Sequence, residues 1–472
     1  MNFPRRQFLG SSLVVLGSTL LDALSTPLWR WNQNLTVRIG ADASSVLASG
    51  DDAAKRAVHS PESSVQFVDV AREAGLTIPN VWGGTDHKRY IIEAKGSGIA
   101  FFDYDQDGWL DIYLTNGTRF NEKWPGGQAP TSHLYKNNRD GTFTDVTEES
   151  GLGRTGWQTG VCVGDFDNDG WPDIYVAVDS EPSILFRNNH DGTFTDIAMI
   201  AGCAYSENGH EQAGMGVAVA DYDCDGWFDI FKTNFADDTC NLYHNNGDGT
   251  FSDVTFSSGV GINNRYVAWG CGFVDYDNDG WSDIIQINGH VYPEIDTHDI
   301  GQLYKNPRLV YRNMGNGQFK DVSSQMGPGI TTPFSSRGAA FGDYDNDGDI
   351  DVLVLNMNDL PSLLRNDGGN KQNWIKLKLI GTTCNRTAIG ARVRVVTGTH
   401  SQMDEVHSGS SVMSQGDLRL HFGVGKAQLI DRIEVKWPTT QKIERFLRVK
   451  PNQILTIKEG SGIIHAEMPP FK

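Results

Sequence analysis

Basic residues are scarce in this chain. Forty lysines and arginines stand against 59 aspartates and glutamates over 472 residues, a formal net charge of −19, and no basic stripe of the kind nucleic acid requires is present. The recognisable signatures of catalysis are missing as well: there is no nucleophile elbow, no H-E-x-x-H, no P-loop and no glycine-rich dinucleotide fingerprint. The six cysteines, Cys162, Cys203, Cys224, Cys240, Cys271 and Cys384, are irregularly spaced and none forms C-x-x-C, which excludes the usual redox and zinc-ribbon patterns. Cys162 and Cys271 sit on apolar strands and read as buried thiols. A bridge between Cys203 and Cys240 stays open as an alternative.

What the chain has in excess is aspartate, in one recurring stretch. Asp275-Tyr-Asp-Asn-Asp-Gly-Trp-Ser-Asp283 is the fourth of five copies, with Asp at positions 1, 3, 5 and 9 and Gly at position 6. Carboxylates packed this closely repel one another unless a cation sits among them, and hard oxygen ligands in this number suit Ca²⁺ better than Mg²⁺ or Zn²⁺. The candidate ligands are Asp103, Asp105, Asp107 and Asp111; Asp165, Asp167, Asp169 and Asp173; Asp221, Asp223, Asp225 and Asp229; Asp275, Asp277, Asp279 and Asp283; and Asp343, Asp345, Asp347 and Asp351. Position 7 adds a backbone carbonyl, from Trp109, Trp171, Trp227, Trp281 and Asp349. An EF-hand begins in the same way, but it needs a glutamate at position 12 followed by a helix. Here position 12 is Leu114, Val176, Lys232, Gln286 or Val354, and exit segments such as Ile284-Ile-Gln-Ile-Asn288 alternate as strands do. Bound Ca²⁺, about five ions, would offset roughly half of the net charge.

Two further landmarks repeat with the loops. One is a Phe-x-Asp strand (Phe67-Val-Asp-Val70, Phe143-Thr-Asp-Val146, Phe194-Thr-Asp-Ile197, Phe251-Ser-Asp-Val254, Phe319-Lys-Asp-Val322). The other ends in asparagine (Leu134-Tyr-Lys-Asn137 to Leu364-Arg-Asn366), and tight Asp-Gly or Asn-Gly turns join the pair. Repeats of this length hold four short strands, so the fold class expected is all-β, a β-propeller of five blades plus a small C-terminal all-β domain. The first Phe-x-Asp strand has no repeat before it and the last asparagine strand has no partner after it. The expectation is therefore that Phe67-Val-Asp-Val70 closes the ring against the strand at Leu364. Insertions at 116–132, 203–216 and 288–307 enlarge three repeats, and His210, Glu211, His290, Tyr292 and Glu294 within them are the candidate ligand-binding residues.

The division expected is 1–27 signal segment, 28–62 linker, 63–369 propeller, 370–460 C-terminal domain and 461–472 tail. Pro4-Arg-Arg-Gln-Phe-Leu-Gly10 and the apolar run Ser11–Leu21 resemble a twin-arginine export signal, the run being short for a membrane span of about 20 residues. The expected location is periplasmic or secreted. After residue 370, strands such as Trp374-Ile-Lys-Leu-Lys-Leu379 and Ile433-Glu-Val-Lys-Trp437 alternate cleanly. The acidic repeats resemble FG-GAP/VCBS repeats. Gly390-Ala-Arg-Val393, Ser408-Gly-Ser-Ser411 and Ser414-Gln-Gly-Asp-Leu-Arg-Leu-His-Phe-Gly423 resemble the ASPIC/UnbV domain, and the combination is similar to the cartilage acidic protein family. That resemblance implies a secreted calcium-binding propeller, and it leaves activity open. The function expected is non-catalytic binding or scaffolding for an extracellular or periplasmic protein or glycan, without nucleic acid and without a stable membrane span. The alternative is a calcium-dependent glycan hydrolase or lyase with its site over the propeller channel.

Overall fold

The computed structural model describes residues 75, 76, 78, 81 and 90–468, apart from 96–98, 108–110, 121–123, 125–128, 141, 299–300, 344–345 and 358–361. The signal segment, the linker and the strand expected at Phe67 lie outside the described residues. So do Trp109 and Asp345.

Five antiparallel sheets follow one another along the chain, each with its strands paired in sequence order. The first holds Ile99–Phe102, Asp111–Leu114, His133–Asn137 and Phe143–Asp145. Corresponding strands make the second (Gln158–Gly164, Asp173–Glu181, Ile184–Asn188, Phe194–Asp196), the third (Val217–Ala220, Asp229–Lys232, Asn241–Asn245, Phe251–Asp253) and the fourth (Ala268–Val274, Asp283–Asn288, Leu309–Asn313, Phe319–Asp321). The fifth shows three strands, Ser336–Gly342, Asp351–Asn356 and Ser362–Leu364. Every sheet uses one register at its first hairpin: Phe102, Gly164, Ala220, Val274 and Gly342 face Asp111, Asp173, Asp229, Asp283 and Asp351. This places all five acidic loops at the same end of their sheets.

Successive sheets stack through shared apolar clusters. Phe102, Tyr113 and Leu134 pack on Val163, Ile174 and Phe186; Tyr175 and Leu185 pack on Phe228 and Tyr243; Phe231 and Leu242 pack on Ile284 and Tyr311; and Ile285 and Val310 pack on Val352 and Val354. The first strands of neighbouring sheets approach one another so closely that glycine is required between them. A Cβ on Gly270 would lie 2.7 Å from the Arg337 carbonyl, and one on Gly160 or Gly216 would strike the carbonyl of Met215 or Trp269. This is the stacked-sheet pattern of a β-propeller.

The C-terminal region forms two four-stranded sheets, ordered Leu420–Gly425, Asn373–Ile380, Gln453–Lys458, Gly462–Glu467 and His400–Glu405, Arg392–Thr397, Ile430–Lys436, Ile443–Val449. Their inner faces share one core containing Ile375, Leu377, Val393, Val395, Phe422, Ile433, Trp437 and Ile457. The alternation of the sequence is thus burial against exposure, as in any two-sheet sandwich. The strand Gly462–Glu467 pairs with Gln453–Lys458, so the domain continues past residue 460 into the stretch read from sequence as a tail.

Candidate metal centres and the face they share with the C-terminal domain

Each acidic loop is built in the same way. Position 4 is in the left-handed region (Gln106 φ 55, Asn168 φ 58, Cys224 φ 61, Asn278 φ 57, Asn346 φ 56), which turns the chain so that the flanking carboxylates converge. In the second to fifth loops the glycine N–H of position 6 donates to the carboxylate of position 1 at 2.8–3.1 Å. Position 9 is fixed by the sheet. One of its oxygens accepts the N–H of the strand-ending asparagine at 2.7–2.9 Å in all five sheets. In the first four, the other oxygen accepts the N–H of position 2 at 3.1–3.3 Å.

Asp103, Asp105 and Asp111 bring carboxylate oxygens within 4.8 Å of one another, as do Asp165, Asp167 and Asp173, Asp221, Asp223 and Asp225, and Asp275, Asp277 and Asp279. Burial and neighbouring carboxylates push these acids up: Asp111 and Asp221 to about 8, Asp165 to about 6, and Asp275 and Asp283 well above the ordinary range, burial being the largest cause in each. Asp165 Oδ1, Asp221 Oδ1, Asp223 Oδ1, Asp277 Oδ1 and Asp349 Oδ1 are buried without a hydrogen-bond donor. A donor set of buried, unsatisfied carboxylate oxygens with raised pKa values fits a hard divalent cation, which supplies the missing charge.

The loops are also tied to one another. In the second to fifth sheets the asparagine at or, in the fifth, two residues beyond the end of the third strand donates its side-chain N–H to the position 2 carbonyl of the preceding loop: Asn188 to Tyr104 (2.9 Å), Asn245 to Phe166 (2.8 Å), Asn313 to Tyr222 (2.8 Å) and Asn366 to Tyr276 (2.7 Å). Position 4 reaches forward, from Gln106 to Gly170 O, from Asn168 to Gly226 O and from Asn278 to Gly348 O. Cys224 has no amide for this task. His400 of the C-terminal domain takes its place, its Nε2–H donating to Gly280 O at 2.8 Å.

The C-terminal domain meets every position 4. Gln441 bonds Gln106, Arg392 bonds Asn168, His400 Nε2 lies 3.9 Å from Cys224 Sγ, His421 bonds Asn278 (2.6 Å) and Arg419 bonds Asn346 (2.6 Å). From the same domain the segment 407–417 runs along the first strands. His407 Nδ1 donates to Val163 O, Ser411 exchanges backbone hydrogen bonds with Val217, Ser411 Oγ accepts the Cys271 N–H, and Asp417 N–H donates to Phe341 O. Sequence reasoning assigned neither the position 4 residues nor this segment a role. The available signal was asparagine at position 4 in three of the five loops.

The three insertions leave the sheets at the opposite end, because each follows a second or a fourth strand. His210 and Glu211 are exposed there, as are Tyr292 and Glu294. His290 is 5% exposed, its Nδ1 accepts the Tyr292 N–H at 3.2 Å, and burial lowers its pKa. Among the described residues no hydrogen bond, ion pair or ring contact joins His210 or Glu211 to His290, Tyr292 or Glu294. The six cysteines are free, Cys203 and Cys240 included, and all but Cys224 are buried. No helix among the described residues is long and apolar enough to cross a membrane.

Comparison with known proteins agrees with this anatomy. The FG-GAP-like repeat model matches residues 103–176, 169–231 and 300–354, and the ASPIC and UnbV model matches 381–464. The chain is therefore a protein of FG-GAP-like repeats with a C-terminal ASPIC/UnbV domain. It is homologous to cartilage acidic protein 1, at 27% identity over 73% of this chain and 52% of the protein from Xenopus tropicalis. The protein from Homo sapiens is 28% identical over 74% of this chain and 51% of its own length. The chain thus spans about half the length of these curated relatives. Among solved structures, a rhamnogalacturonan lyase of Bacillus licheniformis aligns at 13% identity over 76% of this chain and 65% of its own, with a TM-score of 0.33. At that score nothing about a site follows.

Proposed function

We propose that this is an exported calcium-binding protein that presents the insertion face of its stacked sheets to a protein or glycan and does no chemistry itself. Calcium in the loops joins sheet to sheet and sheet to C-terminal domain, because its ligands flank the position 4 residues that make both kinds of contact. The observation that carries this reading is the placement of the C-terminal domain over the acidic loops. The end of the sheets where the cations would lie is occupied by the protein's own chain, and the insertion end is left for a partner. The alternative of an enzyme over the channel has little room at the loop end, where a cavity of about 180 Å³ lined by Asp221, Asp275, Asp404, Arg419 and His421 remains between the two domains. Ligand pockets are usually about 300–1,000 Å³.

The test is Ca²⁺ titrated into the metal-stripped full chain, following thermal unfolding and bound metal, with calcium-loaded and chelated protein then applied to a glycan array. The expected result is several bound ions at affinities of roughly 10⁻⁴–10⁻³ M or tighter, a clear rise in melting midpoint and glycan capture that chelation removes. If chelation leaves both stability and capture unchanged, the proposal fails.

A further inference from the structure

In a chain with 59 acidic residues against 40 basic ones, two guanidinium groups at the insertion end are bonded to neutral partners. Arg337, near the start of the first strand Ser336–Gly342, holds its guanidinium 4.3 Å from the centre of the Trp269 ring. Its Nη1 donates to Ser336 O (2.8 Å), Ser335 Oγ (3.2 Å) and Gly289 O (3.4 Å), and its Nη2 donates to His290 O (3.4 Å). Arg308 is the second: it is 1% exposed, bonds Asn356 Oδ1 (3.2 Å) and Ser362 Oγ (2.8 Å), and shares that Asn356 oxygen with Ser336, the residue before Arg337. Burial pulls both guanidiniums down to about 10, and no carboxylate among the described residues opposes that shift. At the loop end, by contrast, Lys136, Arg139 and Arg312 are paired with aspartates.

A partly buried cation that meets only neutral acceptors lacks the counter-charge that burial calls for. The open edge of Arg337 has a definite shape. Nε has no acceptor and is not sealed from solvent, and it lies on the same edge of the planar group as Nη2, which makes one long bond. Two parallel N–H groups on one edge match the two oxygens of a carboxylate. Beside this edge, Tyr292 is 47% exposed and its ring lies 6.2 Å from that of His290, whose carbonyl holds Nη2. An exposed phenol ring offers a flat apolar face with a polar tip, suited to a pyranose. The base of the site is firm: Trp269 is buried, donates Nε1–H to Gly289 O at 2.8 Å, and shares an apolar cluster with Met215 and with Val412 of the C-terminal segment. Lys95 lies 5.6 Å from the same ring and is paired with Asp179. An extended peptide adds to a free strand edge, and here segment 407–417 already occupies first-strand edges, Ser411 against Val217 and Asp417 against Phe341.

We propose that the insertion end binds a glycan bearing uronic acid, with the carboxylate of one uronate residue on the Nε and Nη2 edge of Arg337 and a sugar ring on Tyr292. This rests on the reading that the insertion face receives a partner, and it names the chemistry of that partner. Of the residues singled out in the sequence, His290 and Tyr292 belong to the site, and the structure adds Arg337 to them.

The probe is trigalacturonate, titrated by calorimetry into the calcium-loaded full chain, with galactotriose as the neutral control and triglutamate as the peptide control. The expected result is binding of trigalacturonate and of neither control at the same concentration. Arg337→Gln should weaken that binding more than about tenfold. Tyr292→Ala, a change at an exposed ring that should leave the melting midpoint where it is, should weaken it about threefold or more. Should Arg337→Gln lose its fold, Arg337→Lys keeps the charge over Trp269, removes the forked edge and carries the same expectation. The inference is overturned if trigalacturonate does not bind, if either control binds as well as it does, or if either folded variant binds it as the parent does. Capture of other glycans on the array without binding of trigalacturonate would sink this inference alone, whereas no glycan capture at all would remove the glycan reading of the insertion face with it.

Discussion

Asp283 has two structural duties besides any metal. It is fully buried, one oxygen accepts the Tyr276 N–H at 3.3 Å and the other the Asn313 N–H at 2.7 Å. Asp283→Ala therefore leaves two backbone donors unpaired, and in chelator it should lower the unfolding free energy by roughly 2–4 kcal/mol, measured by urea denaturation. Asp277→Ala, at a side chain 25% exposed and paired with Arg312, should change metal-free stability by less than about 1 kcal/mol and lose calcium affinity instead. Lys232 makes a different residue-scale case. Its ammonium is buried, donates to Gln212 Oε1 (3.0 Å) and the Tyr243 hydroxyl (3.3 Å), and is pulled down by burial to about 8. Because the folded pKa lies below the unfolded value of about 10.4, the unfolded chain holds a proton that the folded chain releases, and this group's contribution to stability rises with pH across that window. Melting temperature should climb between about pH 8 and about pH 9.5 relative to Lys232→Met, in which that component is absent. The sequence placed Lys232 at position 12, where it served only to exclude an EF-hand. Its burial depends on Gln212 arriving from an insertion.

At the scale of elements, the segment 407–417 is held by close approach. A Cβ on Gly338 would lie 2.6 Å from Ser414 Oγ and 2.9 Å from Val412 O, and its φ lies outside the left-handed region. Gly338→Ala thus needs no left-handed backbone and is incompatible with the segment. The expected outcome is new protease cleavage within residues 408–416 at temperatures where the parent is resistant, with the far-ultraviolet circular dichroism unchanged. Cleavage identical to the parent would show that the segment does not depend on this contact. The loops and the strands around them were legible in the sequence because the metal-type spacing and the alternation are local. The first strands were legible only around Cys162 and Cys271. Their glycines weaken a strand signal, and the reason for them, the carbonyl of the next sheet, lies some 55 to 70 residues away in the chain, as from Gly160 to Met215 and from Gly270 to Arg337.

For the whole molecule, the C-terminal domain has its own core yet touches all five loops, so the two parts share interactions instead of merely a linker. Calorimetry of the calcium-loaded chain should show one transition. A chain ending at residue 369 would leave Asn168, Asn278 and the N–H groups of Val217 and Cys271 without these partners, and should melt more than about 5 °C lower. Two separable transitions, or an unchanged midpoint after truncation, would show that the docking contributes little. On the sequence alone the basic residues of the alternating strands are most simply a solvated sheet face, with docking on the acidic repeats or on an anionic glycan as the weaker option. Arg392 and Arg419 instead contact the acidic loops, because the sandwich turns that edge toward carbonyls and carboxylates that carry a large uncompensated charge.

The sequence by itself determined the repeat, the spacing of the loop carboxylates, the all-β class and the FG-GAP-like and ASPIC/UnbV parts, since all of these rest on spacing within a few residues: carboxylates at fixed intervals, a glycine that permits the turn, apolar side chains at every second position. Tertiary structure decided which groups meet across repeats. His400 substituting for the missing amide of Cys224, Arg337 lying over Trp269, and the C-terminal segment lying along the first strands are contacts between residues remote in the chain, whose geometry depends on how sheet stacks on sheet. No local pattern encodes that stacking.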